Sequence, residues 1–320
     1  MDTGIAVTVG VVLLTGVIAA YSSSVQTIAE NPFNDRKLLQ KGMNLPVIWL
    51  YIDQSEVNSR QWQDFMGRST RAINVPFLNL CYQTIVKQNN DKYRVEVISG
   101  LSDLAVRLGG WEQLPGPLQA SISPVGVAEL NWIRACVLKK WGGLFLSPSV
   151  VAISPFDTLP SDKVAFFGTD DGETYSGPRG TEAPGLRCVW SPVPEHPLFV
   201  KWEAMTRERI DRHSGGKQFR RDENWDTRQL AGEFSSQIIY YPHAELSRKR
   251  SGRRIELEDL LAAGQQGNLM FDISEQNVYL PIPWNELQIS RKFGWFIRMS
   301  EDQILESDLI ISHVIKNSIL

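Results

Sequence analysis

The chain has little cysteine and histidine, with three Cys and four His among 320 residues. Cys81, Cys136 and Cys188 are scattered and odd in number, so they predict neither a disulfide framework nor a metal site. The sequence also lacks an Asn-x-Ser/Thr acceptor, a Gly-x-Gly-x-x-Gly run, a phosphate-binding P-loop and a Ser/His/Asp elbow. The motifs typical of dinucleotide-binding enzymes, P-loop nucleotide hydrolases and serine hydrolases are therefore missing.

An excess of basic charge is missing too. The formal net charge is −3 at pH 7, so nothing attracts the whole chain to nucleic acid, and we expect no nucleic-acid partner. With 42% hydrophobic residues and ten Trp, the chain has enough apolar surface for a large core. No internal repeat or long linker divides it, so we expect one large globular domain.

Charged residues are also absent from the apolar run 5–21. Its length is at the lower end of what spans about 30 Å of hydrocarbon as a helix. We therefore predict a transmembrane anchor over residues 1–24, a juxtamembrane linker over 25–44 and a globular domain over 45–320. A signal peptide and a buried core helix are the alternatives. The sequence lacks the basic residues that normally precede the apolar run of a signal peptide.

The nearest basic residues, Arg36, Lys37 and Lys41, all follow the apolar run. By the positive-inside tendency they place the C-terminal domain on the cytoplasmic or topologically equivalent side. The sequence thus predicts a single-pass membrane protein that contacts lipid through residues 5–21.

Beyond residue 45, short apolar runs alternate with helical patterns. The patterns predict strands at 47–51, 93–98, 144–153, 164–168 and 237–241, and helices within 59–89, from 102, at 127–140, at 199–212 and at 256–263. A final apolar segment at 305–315 is compatible with a strand or a helix. Alternation of strand and helix predicts an α/β domain with a largely parallel sheet.

Six short segments between residues 45 and 200 follow one another in a recognisable order. They are Pro46–Trp49, Leu80–Ile85, Tyr93–Val95, the helix around Arg134, Gly142-Gly143 and Glu195–Leu198. Together they resemble the capsular-polysaccharide-synthesis and Asp-x-Asp sugar-binding glycosyltransferase group. The resemblance implies a GT-A fold, a Rossmann-type mixed sheet flanked by helices, preceded here by the predicted membrane helix.

The chain departs from this family at its metal-binding acids. The family carries an acid three residues before the helix Arg, and an Asp-x-Asp or Asp-x-Thr motif after Gly-Gly that binds Mn²⁺ or Mg²⁺ on the donor diphosphate. Here Asn131 replaces the acid, and Ser147 and Ser149 occupy the motif. Hard cations prefer carboxylate oxygens, and hydroxyls alone bind them weakly. We therefore expect no metal cofactor.

The resemblance retains a nucleotide-sugar site formed by Trp49, Tyr51, Asp103, Asn131 and Arg134. In that interpretation Trp49 and Tyr51 line a base pocket, Asp103 accepts from a ribose hydroxyl and Arg134 binds a phosphate. Each residue also has a structural interpretation. These are core packing for Trp49, a first-turn helix charge for Asp103 and a salt bridge for Arg134.

Asp170 and Asp171 come just after the predicted strand 164–168, where α/β proteins often hold ligands. If the chain is active, one of them is the candidate general base. A solvated turn is the alternative interpretation.

A basic run lies later in the chain, with five positive charges at Arg248, Lys249, Arg250, Arg253 and Arg254. Such a run favours contact with anionic lipid or with an acidic partner. A solvated loop is the alternative.

The sequence supports two main hypotheses of function. The first is a catalytically degenerate glycosyltransferase-like protein that serves as a structural or interaction subunit of a membrane-associated assembly. The alternative is an active, metal-independent glycosyltransferase that uses a nucleotide-sugar donor. A third hypothesis keeps only the fold and assigns the pocket an unrelated ligand.

The anchor prediction can be tested by membrane fractionation. We expect the full chain to sediment with membranes after alkaline washing, and removal of residues 1–24 to release it. The double substitution Val12→Arg and Leu14→Arg should release it too, because each Arg costs about 2.5–3.5 kcal/mol at the centre of a spanning helix. A full chain that stays in the supernatant would contradict the anchor.

Overall fold

The computed structural model describes residues 45–53, 76–119, 125–157, 159–170, 183–212, 225–264, 271–289 and 292–320. From Pro46 onward the chain forms one compact unit. The predicted anchor and linker lie outside the described residues. Within the described ranges, no helix combines the length and the apolar character needed to cross a bilayer.

The described strands are β1 Val47–Ile52, β2 Arg94–Ser99, β3 Gly143–Leu146, β4 Val150–Ala152, β5 Val164–Asp170, β6 Ala183–Ser191, β7 Ile238–Tyr241 and β8 Tyr279–Pro281. The described α-helices are α1 Pro76–Asn89, α2 Gly100–Leu108, α3 Gly116–Gln119, α4 Val127–Trp141, α5 Pro197–Arg212, α6 Trp225–Glu233, α7 Leu257–Leu260, α8 Trp284–Ile289, α9 Gly294–Ile297, α10 Glu301–Glu306 and α11 Ile310–Ile319. Short 3₁₀ turns occupy Trp111–Gln113, Ser235–Gln237 and Pro242–Ala244.

The main sheet has six strands in the order β2-β1-β3-β6-β5-β7. Strand β1 is parallel to β2 and β3, β5 is parallel to β7, and β6 runs antiparallel to both β3 and β5. Strands β4 and β8 form a separate antiparallel pair. The prediction of a mixed α/β sheet flanked by helices is therefore confirmed.

The path of the chain through this sheet includes a topological switch point. From β1 the chain runs out to β2 and then returns past β1 to form β3 on the other side. The carboxyl ends of β1 and β3 are therefore neighbours at a point where the direction of winding reverses. In α/β sheets, ligands bind outside the carboxyl ends of the strands at such a switch point.

Both faces of the sheet are buried, which explains why β1 reads as a continuous apolar run. Trp49 and Tyr51 point into the core that contains the buried residues of α4 and α5. Ile48 and Leu50 point into the opposite core, together with Phe156. Successive residues of a strand alternate between the two faces, so one short segment supplies both cores.

A third core joins the C-terminal helices to α1 and the small sheet. The rings of Phe77 in α1 and Phe296 in α9 lie 5.7 Å apart, and Val151 of β4 belongs to the same cluster. The apolar segment 305–315, for which strand and helix were both open, lies mainly in helices α10 and α11.

The predicted single strand over 144–153 is wrong. Strand β3 ends at Leu146, and β4 begins at Val150 in the other sheet. The segment Ser147-Pro148-Ser149 separates them, and Pro148 has no N–H with which to continue a ladder. The chain therefore changes sheets at the segment that the sequence marked as unusual.

Gly168 allows β5 to pass close to β8. Its φ of +89° is unfavourable for other residues, and a Cβ there would lie 2.5 Å from Glu245 Oε2 and 2.8 Å from the Tyr279 hydroxyl. We expect Gly168→Ala to lower the free energy of unfolding by about 2 kcal/mol or more, measured by denaturant titration.

Gly232 in α6 is the matched control, because a Cβ there meets nothing within 4 Å. Gly232→Ala should raise the free energy of unfolding by about 0.5–1 kcal/mol through helix propensity. Equal effects at the two positions would show that the close approach at Gly168 does not constrain the fold.

Candidate functional site

The candidate site lies at the switch-point edge of the main sheet. Asp53 follows β1, and Ser147 and Ser149 follow β3. Arg187 of the neighbouring strand β6 joins them, because the Ser147 N–H donates to its carbonyl at 2.7 Å. With Arg134 of α4, these residues are called here the carboxyl-edge site.

The two serines are held by backbone contacts to both sheets. Ser147 is bound to β6, and the Ser149 carbonyl accepts from the Ile282 N–H, just past β8, at 2.8 Å. Their hydroxyl oxygens lie 3.3 Å apart, and Ser149 is only 9% exposed. The segment therefore presents two neutral hydroxyls in a fixed arrangement.

These residues do not fit a divalent cation. Among the described residues, no group of three or more His, Cys, Asp and Glu side chains is placed to hold a metal. The charged groups described at this edge are the cations Arg187 and Arg134, which repel a metal ion, and one carboxylate, Asp53, which accepts from the Val125 N–H at 3.0 Å. Two hydroxyl oxygens and a single carboxylate provide little binding energy against that repulsion.

Arg134 is a buried cation with no counter-ion among the described residues. It is 6% exposed, its Nη1 donates to Asn131 Oδ1 at 2.5 Å, and its guanidinium carbon lies 5.2 Å from the centre of the Phe145 ring. In the part of the chain that the structure describes, its Nε has no hydrogen-bond partner and no carboxylate pairs with it. The salt bridge considered from the sequence is therefore not formed among these residues.

The electrostatics of Arg134 follow from this environment. Burial, and then the charge of Arg187, lower the pKa of Arg134 to about 9. A guanidinium with that pKa still carries its charge at pH 7. The site therefore contains a desolvated positive charge that an anion would stabilise.

The position of Arg134 on α4 brings it close to the carboxyl edge. Helix α4 leads through Gly142 directly into β3, so its N-terminal half lies toward the carboxyl end of that strand. Arg134 is seven residues before Trp141, or about 10 Å along the helix, and helical side chains lean toward the helix N-terminus. The contact with Phe145, two residues before Ser147, agrees with this placement.

Arg187 is held in place by a buried carboxylate. Its Nη1 lies 3.1 Å and 3.3 Å from the two oxygens of Glu245, and the Tyr279 hydroxyl lies 2.9 Å from Glu245 Oε2. Burial raises the pKa of Glu245, although Arg187 and Tyr279 oppose the shift. The sequence analysis identified neither Arg187 nor Glu245. The signal available for Arg187 was that it is a single charge within the apolar run of β6.

Trp49 and Tyr51 lie in the core. The Trp49 indole donates to the Gly142 carbonyl at 2.9 Å, and its ring centre lies 5.2 Å from that of Trp141 with the planes tilted by 36°, beside the amino end of β3. Tyr51 is also buried, in the same core. The structure thus places the Trp49 ring away from the carboxyl edge, as the core-packing interpretation expects.

Asp103 organises the start of α2. Its Oδ2 accepts from the Ser99 N–H at 3.0 Å, and its Oδ1 lies 3.2 Å from Arg107 Nε. Ser99 is the N-cap residue of the helix, which therefore begins two residues before the predicted start at 102. The contacts match the first-turn interpretation of Asp103.

Asp170 and Asp171 are the two candidate general bases. Asp170 is the last residue of β5, and the structure describes its backbone but not its side chain. Asp171 lies outside the described residues altogether. Their proposed role in catalysis stays a prediction.

Two cations of the basic run are in ion pairs. Lys249 lies 2.7 Å from Asp259, and Arg250 lies 2.6 Å from Asp272. Arg248 donates to the Gly252 carbonyl at 3.2 Å, which closes the turn. The predicted contact with anionic lipid or an acidic partner would therefore depend mainly on the exposed Arg253 and Arg254.

Comparisons with known proteins give remote similarities. Neither a scan against protein-family models nor a search of characterised proteins gave a match. Among solved structures, the chain is similar to the PaToxG glycosyltransferase, with 14% identity and a TM-score of 0.35 over 60% of this chain and 70% of that one. It is also similar to the galactosyltransferase LgtC in complex with donor and acceptor sugar analogs, with 11% identity and a TM-score of 0.39 over 78% and 95%.

A further similar structure is the glycosyltransferase GlyE of Streptococcus pneumoniae, with 12% identity and a TM-score of 0.37. The alignment covers 86% of this chain, which spans 64% of the length of GlyE. The three proteins are glycosyltransferases by name. Similarity at this level assigns neither activity nor ligand, so the site is interpreted from its own residues.

The uncompensated charge of Arg134 gives a stability prediction. We expect Arg134→Met to raise the free energy of unfolding by about 1 kcal/mol or more, because an apolar side chain of similar volume replaces a desolvated cation. Thermal and denaturant unfolding at pH 7 in a phosphate-free buffer measure the change.

Arg207 is the matched control, because it pairs with the buried Glu203 at 2.8 Å. Arg207→Met should lower the free energy of unfolding by about 1–2 kcal/mol, since it removes a charged hydrogen bond to a partly desolvated carboxylate. If Arg134→Met lowers the free energy of unfolding as much as Arg207→Met does, burial of the Arg134 charge does not destabilise the protein.

Proposed function

We propose that this chain is a glycosyltransferase-like protein with a GT-A fold that has lost metal-dependent sugar transfer. In this proposal it serves as a structural or interaction subunit of a membrane-associated assembly. The observation that carries the proposal is the pair Ser147 and Ser149 at the switch-point edge, where the resemblance would place a metal-binding acidic motif.

The chemistry of transfer explains why these serines matter. A departing nucleoside diphosphate gains negative charge, and a divalent cation held by carboxylates neutralises it in metal-dependent enzymes. Ser147 and Ser149 carry no charge, and the cations Arg134 and Arg187 lie beside them. Asn131, which replaces the family's helix acid, is buried and accepts from Arg134.

A second candidate function is metal-independent transfer from a nucleotide-sugar, and the uncompensated charge of Arg134 favours it. A phosphate oxygen at this position would replace the missing counter-ion and accept from the Nε that has no described partner. The hydroxyls of Ser147 and Ser149 would donate to the same anion. Asp170 or Asp171 would then act as general base.

The membrane part of the proposal has separate support. The apolar run 5–21 would provide the anchor, and Arg253 and Arg254 would contact anionic headgroups or an acidic partner. The C-terminal domain would lie on the cytoplasmic or topologically equivalent side.

Calorimetric titration with UDP- and GDP-sugars tests the two candidates. The full chain and its Arg134→Met variant are titrated in EDTA and again with Mn²⁺. We expect Mn²⁺ to change neither the heat of donor binding nor the unfolding temperature, because the described residues of the site include only one carboxylate, Asp53, beside two cations. Release of free sugar, followed in parallel, should be absent.

The outcomes separate the candidates. Absence of donor binding in both buffers supports the structural subunit. Micromolar binding in EDTA that Arg134→Met weakens by about tenfold or more, the loss expected for a charged hydrogen bond, supports the metal-independent candidate. Donor binding that requires Mn²⁺ would contradict the proposal that this chain has lost metal-dependent sugar transfer.

A further inference from the structure

The basic run of the sequence forms a β-hairpin, called here the basic hairpin and defined as residues 247–255. Arg248 and Arg254 lie opposite each other in an antiparallel bridge. The Ile255 N–H closes the base of the hairpin with a hydrogen bond of 2.8 Å to the Ser247 carbonyl. The five cations of the run are therefore carried by one ordered element.

Ser251 lies at the tip of the basic hairpin. The Lys249 N–H donates to the Arg253 carbonyl at 2.7 Å, and the Gly252 N–H donates to the Lys249 carbonyl at 2.8 Å, so the chain reverses over these residues. Gly252 has a φ of +77°, which glycine adopts without strain. Ser251 is exposed, as are its two neighbours in the chain. An enzyme in solution can therefore reach the Ser251 side chain.

The chain that leads into the hairpin is fixed by one buried side chain. Asn277 accepts from the Ser274 N–H through Oδ1 at 2.8 Å and donates through Nδ2 to the His243 carbonyl at 2.8 Å. Its own carbonyl accepts from the Ser154 hydroxyl at 2.9 Å. The three loops joined in this way surround a cavity of about 470 Å³, whose lining includes Phe156, Phe167 and Tyr241. The base of the hairpin is thus held independently of its tip.

The two ion pairs of the hairpin differ in exposure. Lys249 lies 2.7 Å from Asp259, with side chains that are 20% and 14% exposed. Arg250 lies 2.6 Å from Asp272, with side chains that are 58% and 69% exposed. Exposed pairs contribute little to stability. Arg250 can therefore leave Asp272 at little cost, while Lys249 keeps the hairpin attached to the domain.

The sequence around Ser251 has a spacing that occurs once in the chain. Ser251 lies three residues after Arg248 and directly after Arg250, and no other Ser or Thr of the 320 residues lies three residues after an Arg. Arginine-directed serine kinases recognise this spacing, because acidic groups in their substrate groove pair with the guanidinium that precedes the acceptor. The hairpin therefore presents an accessible hydroxyl together with the charges that such an enzyme recognises.

We infer that Ser251 is a phosphorylation site that weakens contact between the basic hairpin and anionic lipid. The inference rests on the lipid contact proposed above. The γ-phosphoryl group of ATP passes to Ser251 Oγ: an O–P bond forms, the bond to the β-phosphate oxygen breaks, ADP leaves, and the hydroxyl proton goes to the base of the kinase. The product carries about −1.5 to −2 charges at pH 7. Because Asp259 and Asp272 already oppose two of the five cations, this charge removes about half or more of the remaining positive charge.

Phosphorylation of the purified full chain in detergent micelles tests the site. The probe is ATP with the catalytic subunit of cyclic-AMP-dependent protein kinase, which is arginine-directed, and mass spectrometry of peptides locates the phosphate. We expect Ser251 to be modified, and Ser251→Ala to lower incorporation by about tenfold or more. Ser161→Ala is the matched control and should leave incorporation unchanged, because Ser161 is also exposed but follows three residues without a cation.

Hydrogen exchange in lipid nanodiscs tests the consequence. The full chain, unmodified or phosphorylated at Ser251, is placed in discs of phosphatidylcholine alone or mixed with phosphatidylglycerol. We expect the amides of residues 249–253 to exchange more slowly in the anionic discs when the chain is unmodified. Phosphorylation should remove this difference, because two added negative charges should weaken the lipid contact by about thirtyfold.

Three results would overturn the inference. They are no phosphate at Ser251, slow exchange in anionic discs that phosphorylation leaves unchanged, or equal exchange of the unmodified tip in both kinds of disc. The last would assign the hairpin to an acidic protein partner.

The anchor is judged separately, by elution of the chain with neutral discs. If the chain does not elute with them, the proposed anchor is wrong. Elution with anionic discs that phosphorylation abolishes would then still support the switch, and no elution with either kind of disc would reject it.

Discussion

The candidate site depends on one change of direction in the chain. At Ser147-Pro148-Ser149 the chain leaves the six-stranded sheet and enters the two-stranded one. Ser147 is fixed to β6 and Ser149 to the residue after β8, so one short segment ties the six-stranded sheet to the two-stranded one. Because Pro148 cannot donate to a ladder, the chain leaves the main sheet at the carboxyl end of β3. Two hydroxyls are thereby fixed at the switch point, beside Arg187.

Local patterns predicted the elements that depend on periodicity. Strand β1 and helix α4 agree with the predictions to within one residue at each end, because apolar repeats of two and 3.6 residues report burial directly. The division of 144–153 between two sheets was not predictable, since both halves are equally apolar and strand partners are set by tertiary contacts. The pairing of Arg187 with Glu245 was not predictable for the same reason, because the two residues are 58 positions apart and meet only through the tertiary fold.

Buried charge distinguishes Arg134 from the rest of the described core. Glu203 pairs with Arg207 and Lys139, Asp226 pairs with Arg209, and Glu245 pairs with Arg187. The helix positions three and four residues from Arg134 are Leu130, Asn131, Val137 and Leu138, so the sequence already showed that α4 supplies no acid to it. Arg134 is thus the buried cation for which no paired carboxylate is described, and an anion from outside would stabilise it.

Asn277 joins three loops around the cavity that Phe156, Phe167 and Tyr241 line, because its side chain bonds to Ser274 and His243 and its carbonyl accepts from Ser154. A change of length in one of these loops would disturb the other two, whereas substitution of a lining side chain would leave the loops in place. A cavity shaped in this way before binding would select a ligand by shape. Because association would need no prior conformational step, residence time, more than the association rate, would distinguish one ligand from another.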